Sequence, residues 1–248
     1  MTTLQYLLLV LPLIGANPID RVVGGLPALI SQYPYQISLR TSSNTHICGG
    51  SIIGNSWVLT AAHCIDGKIS ASSVFVVVGT STLKSGGTTY SLAKIIAHSE
   101  YNSQNNLNDI ALLKIAGLIV YGDTVNFISL SIANPPPGAD LTLTGWGFTS
   151  HPSETLPNQL QYVHLKAISL SQCKKKLSTG SFMISSGHVC TYHPEHRGAC
   201  MGDSGGPLVY NNAQVGVVSW GIPCAKEYPD VFTSVATYLQ WIVTNTKS

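Results

Sequence analysis

The chain has 248 residues, 44% of them hydrophobic and only 10% charged, so it can bury a large core and is not an intrinsically disordered segment. A net charge of +2 offers no footprint for nucleic acid. The only basic run, Lys174-Lys175-Lys176, reads as a solvated face beside Cys173.

Met1 to Ala16 reads as a secretory signal, with Leu7-Leu8-Leu9-Val10-Leu11 at the centre of a short apolar stretch and Ile14-Gly15-Ala16 as a small-residue cleavage site. It is too short for a membrane anchor, which needs about 20 apolar residues, and no other segment is long enough. The predicted mature protein is therefore soluble, secreted and extracellular. In that setting the six cysteines form a disulfide framework, whose pairing the spacing alone leaves open. No two of them have the spacing of a zinc site, and His193-Pro194-Glu195-His196 reads as an exposed loop rather than a metal site.

Short strands follow at intervals of about 8–15 residues, the pattern of an all-β sandwich or barrel. They are predicted at Gln36–Arg40, Ser51–Ile53, Trp57–Thr60, Val74–Val78, Leu92–Ala97 and Ile110–Ile115, then at Leu141–Thr144, Gln161–Ile168, Pro207–Tyr210, Gln214–Trp220 and Val231–Thr233. Asn134-Pro135-Pro136-Pro137-Gly138 separates the two sets, because it can continue neither strand nor helix. The tail is the one predicted helix: Val235, Tyr238, Leu239, Ile242 and Val243 recur at helical spacing behind a Ser234 cap.

Three motifs carry chemistry. Gly202-Asp203-Ser204-Gly205-Gly206-Pro207 sets a serine between glycines that permit a sharp turn and bring backbone N–H groups close to a substrate carbonyl. Six specified residues arise by chance at roughly 10⁻⁸ per window, so a plain Gly/Ser turn is a poor account of them. Thr60-Ala61-Ala62-His63-Cys64 ends an apolar run in a histidine, and Asp109-Ile110-Ala111-Leu112-Leu113 opens one with a carboxylate. Taken singly, the histidine could be a satisfied core residue and the aspartate a cap or structural ion pair. A buried carboxylate nevertheless needs a partner, and a histidine that must be held in one tautomer is such a partner.

With these flanking residues, the order His63, Asp109, Ser204 resembles the chymotrypsin/trypsin family of serine endopeptidases. The resemblance covers nearly the whole mature chain, through Val22-Val23-Gly24-Gly25, Cys48-Gly49-Gly50-Ser51, Thr144-Gly145-Trp146-Gly147, Ser219-Trp220-Gly221 and all six cysteines. It implies two six-stranded antiparallel Greek-key barrels with a C-terminal helix, and an active site in the cleft between them. It implies the disulfides Cys48–Cys64, Cys173–Cys190 and Cys200–Cys224. The implied organisation is a signal peptide at 1–16, an activation peptide at 17–21 cut after Arg21, and a peptidase domain at 22–248. Within that domain, 22–133 would form the first barrel and 134–248 the second barrel with the helix.

The resemblance also implies residue roles. Ser204 would attack, His63 would move the proton and Asp109 would hold the ring. Gly202 and Ser204 would supply the oxyanion-binding N–H groups, and Ser219, Trp220 and Gly221 the edge that pairs with substrate backbone. Asp203 would pair with the new amino terminus at Val22. No cofactor and no metal are expected: the loop Gly79 to Gly87, where some family members bind calcium, has neither Asp nor Glu.

The specificity pocket departs from the best-known members, with Gly198 where trypsin-like enzymes carry an Asp and Asp230 on the facing strand. That combination resembles broad-specificity serine collagenases of crustaceans and insects, and implies cleavage after both basic and large apolar residues. Asp230 could instead be a surface turn residue. The expected partners are protein or peptide substrates and protein inhibitors, with a monomer as the default and neither nucleic acid nor membrane involved. Two rival readings are a cascade protease of narrow specificity and a non-catalytic binding homologue. The latter would call for an altered triad, which the sequence does not have.

Overall fold

The computed structural model describes residues 24–67, 69–150, 155–194, 197–222, 224 and 228–247. The predicted signal segment, the predicted activation segment with Arg21, and Val22 lie outside them.

The first half contains β1 (Leu26–Pro27), β2 (Gln36–Thr41), β3 (His46–Gly54), β4 (Trp57–Thr60), β5 (Val74–Val78), β6 (Thr88–Ala97) and β7 (Ala111–Ile115). Strands β2 to β7 close into a barrel in the order β2-β3-β4-β7-β6-β5. The second half contains β8 (Ser129–Leu130), β9 (Asp140–Gly145), β10 (Gln161–Ile168), α1 (Leu170–Leu177), β11 (His188–Tyr192), β12 (Pro207–Tyr210), β13 (Ala213–Gly221), β14 (Asp230–Ser234) and α2 (Val235–Thr246). Here β10-β11-β14-β13-β12-β9 close on themselves through the β9–β10 pairing. Along β10, Gln161, Val163, Leu165 and Ala167 point inward while Tyr162, His164 and Lys166 alternate outward, which is the period-2 pattern of a strand with one wet face.

Pieces of each half are built into the other. β1, from the first half, adds to β10 in the second sheet. Helix α2 lays Val235 and Ile242 against the first barrel's core. Buried hydrogen bonds also cross the seam: Ser51 Oγ donates to Gln214 Oε1 at 2.6 Å, and Thr144 Oγ1 to Gln36 Oε1 at 2.6 Å. These contacts fix the barrels against each other, and with them the cleft.

Three local expectations need correction. Helix α1 is a second helix, which the apolar spacing could not reveal because only Cys173 and Leu177 in it are buried. Its start is a capping box, in which Gln172 N donates to Ser169 Oγ and Ser169 N donates to Gln172 Oε1. The exposed lysine run lies on this helix, with Lys176 Nζ 3.6 Å from the Tyr192 ring centre. Strand β11 was not anticipated either, although it lies in the middle of the second sheet. On α2 the Ser234 cap is present, accepting from Thr237 N at 3.1 Å, but Val243 faces solvent and Trp241 packs in its place.

Candidate active site

His63 lies in a short 3-10 turn, Ala62–Ile65, that follows β4, and the Cys48–Cys64 disulfide ties this turn to β3. Asp109 precedes β7 and is fully buried. Its Oδ1 accepts from His63 N at 2.9 Å, and its Oδ2 accepts from His63 Nδ1 at 2.8 Å. One carboxylate thus holds both the histidine's backbone and its ring, leaving Nε2, 3.8 Å from the disulfide-bonded Cys64 Sγ, as the ring's basic nitrogen.

The second barrel holds the loop that presents Asp109. Ser219 Oγ donates to Asp109 Oδ2 at 2.5 Å, a charge-assisted distance. Thr233 Oγ1 donates to the Asp109 carbonyl at 2.7 Å. Tyr238 Oη donates to Asn108 Oδ1 at 2.7 Å, and Asn108 is in the left-handed region with φ 56°. The buried His188 ring accepts a hydrogen bond from Ser185 N on Nδ1 at 3.1 Å and hydrogen-bonds the Asn106 carbonyl. Burial pushes its pKa down, against those hydrogen bonds and the pull of Asp109. Sequence reasoning named Ser219 only for its backbone and missed the other three. Their partners on the Asp109 loop lie 82 to 130 positions away, so no local spacing could signal them.

Ser204 follows a turn in which Gly202 has φ 101°, conformational space that side chains avoid. Asp203 N donates to the Cys200 carbonyl, Gly206 N to that of Asp203, and Gly49 N to that of Ser204. Among the described residues, no protein acceptor takes the N–H of Gly202 or Ser204, and Ser204 Oγ makes no hydrogen bond to His63 Nε2. Such nucleophile–base contacts are often long without substrate and tighten in its complex.

Asp203 is fully buried, with its carboxylate against Gly145 and Gly147, where any side chain would collide with it. It accepts from Gly147 N at 2.7 Å and Cys200 N at 3.0 Å. Burial still pushes its pKa up to about 6, with those amides pulling the other way. No cation pairs with it among the described residues.

Beside Ser204 opens a pocket of about 310 Å³, walled by Ala199, Cys200, Val218, Ser219, Trp220 and Asp230 among others, with the Cys200–Cys224 disulfide at its edge. The third disulfide, Cys173–Cys190, joins α1 to β11 away from it. Asp230 is 7% exposed and accepts from Ala199 N at 2.9 Å. Its Oδ2 fills the space that a side chain at Gly198 would take. Asp230 is therefore not a surface turn residue: Gly198 is buried behind it, and Asp230 rather than Gly198 lines the pocket. Burial pushes Asp230 up to about 7, opposed by the Ala199 amide and reinforced by the charge of Asp203. The exposed edge, Trp220 to Gly221, runs along the rim of the same pocket.

Cys48, Cys64 and His63 bring potential metal-ligating atoms together, but both sulfurs are in a disulfide and have no thiolate to offer.

Comparison with known proteins agrees with this geometry. The sequence model of the family described as Trypsin matches residues 22–242. Trypsin delta of Drosophila melanogaster is 42% identical over 226 residues, 91% of this chain and 88% of its own length. Trypsin alpha-4 of Lucilia cuprina is 39% identical over 229 residues, 92% of this chain and 88% of its own. Among solved structures, neuropsin, a serine protease expressed in the limbic system of mouse brain, superposes with a TM-score of 0.82 at 32% identity. That match covers 90% of this chain and 98% of neuropsin.

Proposed function

The chain belongs to the trypsin family of serine endopeptidases, and from that premise we propose that His63, Asp109 and Ser204 form its catalytic triad, with Gly202 and Ser204 as the oxyanion-binding amides. Ser204 Oγ attacks the scissile carbonyl carbon while His63 Nε2 takes its proton. The tetrahedral oxyanion meets the two N–H groups that the protein leaves unspent, each contributing about 3–4 kcal/mol to such a transition state. Collapse expels the amine with the proton returned from His63, and water hydrolyses the acyl-enzyme by the same route. The imidazolium formed in both steps is stabilised by Asp109, whose double hold on His63 is the observation that carries this reading. Ser204→Ala is the test: turnover is lost while the melting temperature stays near wild type, and a serine-directed phosphonate labels only the wild type. Retained turnover in the variant overturns the reading.

Activation and secretion are part of the same proposal. Cleavage after Arg21 frees the Val22 amine, which pairs with Asp203 and holds the oxyanion loop in place. Two observations support this: Asp203 is a buried carboxylate whose hydrogen bonds among the described residues come from backbone amides, and the family match begins at Val22. Residues 1–16 serve as signal peptide, and the secreted domain acts as a monomer on dietary protein, subject to protein inhibitors. At the pocket floor, Asp230 pairs with a Lys or Arg side chain of the substrate and, when neutral, tolerates a large apolar one.

A further inference from the structure

Arg40, on β2, is only 3% exposed, and neither of the two ion pairs among the described residues includes it. A buried arginine without a carboxylate is costly, so its donors should serve another purpose. Nη1 donates to Asn44 Oδ1 at 3.0 Å, Nη2 has no partner, and Nε donates to Ser38 Oγ at 2.9 Å. Ser38 Oγ lies 2.8 Å from His46 Nδ1, and His46 Nε2 lies 2.9 Å from the Gly202 carbonyl oxygen.

The proton directions along this chain are set from its far end. The Gly202 carbonyl only accepts, so His46 Nε2 carries the one proton of the neutral ring and Nδ1 is bare. Ser38 Oγ therefore gives its single proton to His46 Nδ1 and takes the Arg40 Nε–H on a lone pair. The His46 ring is buried edge-on to Trp146, at 5.7 Å between ring centres, so it cannot swing to another acceptor without leaving a cavity. Burial keeps it neutral, its pKa lowered to about 4, with the Gly202 carbonyl pulling the other way and Arg40's charge adding the smallest push downward. Without Arg40, Ser38 Oγ loses the donor that holds its hydroxyl in place, and its proton is no longer aimed at His46 Nδ1.

We infer that Arg40 is a positioning residue for the oxyanion loop, acting through Ser38 and His46 to pin the Gly202 carbonyl and so aim the Gly202 N–H. This rests on the proposed role of that N–H, and the experiment separates the two ideas. Arg40→Met keeps the stem's bulk and removes every donor; Ser38→Ala cuts the middle link with the loss of one hydroxyl. Both are assayed on activated protein beside wild type and Ser204→Ala, for kcat, KM, melting temperature and affinity for a peptide aldehyde, whose adduct on Ser204 carries the tetrahedral oxygen. Each variant is expected to lower kcat by about 5- to 50-fold with KM within about twofold, and to weaken the aldehyde in parallel. The double variant is expected to be no worse than Ser38→Ala alone, since both act on one relay. Wild-type kcat and aldehyde affinity in Arg40→Met, or in Ser38→Ala should Arg40→Met not fold, overturn the inference. So does an additive double variant, or a loss confined to the melting temperature. If Ser204→Ala itself turns over, the catalytic reading falls first.

Discussion

Asp109, on one side of the cleft, and Asp203 and Asp230, on the other, are all buried carboxylates, but they are satisfied in different ways. Asp109 accepts three hydrogen bonds on its two oxygens, from the backbone and ring of His63 and from the Ser219 hydroxyl. Asp203 accepts two backbone amides and Asp230 one, and burial pushes both upward, to about 6 and about 7. The protein itself completes the first carboxylate. Among the described residues the other two have no cation beside them, and on the proposed reading their cations are the Val22 amine for Asp203 and the substrate's basic side chain for Asp230. A complete site serves a reaction repeated every turnover, and an incomplete one serves a choice, made once at activation or anew with each substrate.

The comparison breaks most visibly at its complete member. Asp109→Asn removes the acceptor that fixes the His63 ring, and kcat should fall by about 10²- to 10⁴-fold with little change in KM. A loss smaller than tenfold would mean that His63 is held well enough by other groups.

At Asp203, Arg21→Gln should leave a precursor that a trypsin-like activator cannot switch on, because the amine is never freed. Leaving a buried partner uncompensated costs about 3–5 kcal/mol, roughly 150- to 5000-fold in the active population. Pairing raises the amine's pKa above its free value of about 8, so the active state is fully favoured below that value and lost as pH rises through the raised pKa. Equal peptidase activity before and after cleavage of the wild type rules the mechanism out.

Asp230→Gly should cut kcat/KM on Lys and Arg substrates by roughly 30- to 1000-fold while sparing or improving cleavage after Phe, Tyr or Leu. In the wild type the ratio of basic to apolar cleavage should climb with pH up to about 7, as the carboxyl ionises. The same group affects stability with a definite sign. The folded state keeps this proton to about pH 7, whereas an unfolded carboxyl releases it near pH 4, so stability falls as pH rises between those values. The variant's melting temperature should lose that part of the slope, and an unchanged preference for basic residues would place Asp230 outside recognition.

The smallest effect belongs to the clamp on the Asp109 loop. Tyr238→Phe deletes the donor to Asn108 Oδ1 and should lower stability by about 1 kcal/mol, with a loss of a few-fold in kcat. Denaturant midpoints at constant m-value give the first number. A variant as stable and as fast as wild type would show that the loop is held without it.

The sequence alone determined what kind of fold is built, and it singled out the residues proposed to carry the chemistry. The Gly202 to Pro207 loop, the flanks of His63 and Asp109, and the turn-bounded apolar runs are local patterns, and each states its physical requirement within a few positions. Strands β4, β5, β10 and β12 were legible to the residue for the same reason. Helix α1 and strand β11 were not: a mostly exposed eight-residue helix has no apolar period, and β11 takes its character from its neighbours in the sheet. Only the tertiary structure decided where Asp230 sends its carboxylate, that Ser219 completes Asp109, and that Arg40 reaches Gly202 through two other side chains. Those contacts join positions far apart in the chain, and burial and hydrogen-bond direction come into being only when the barrels close.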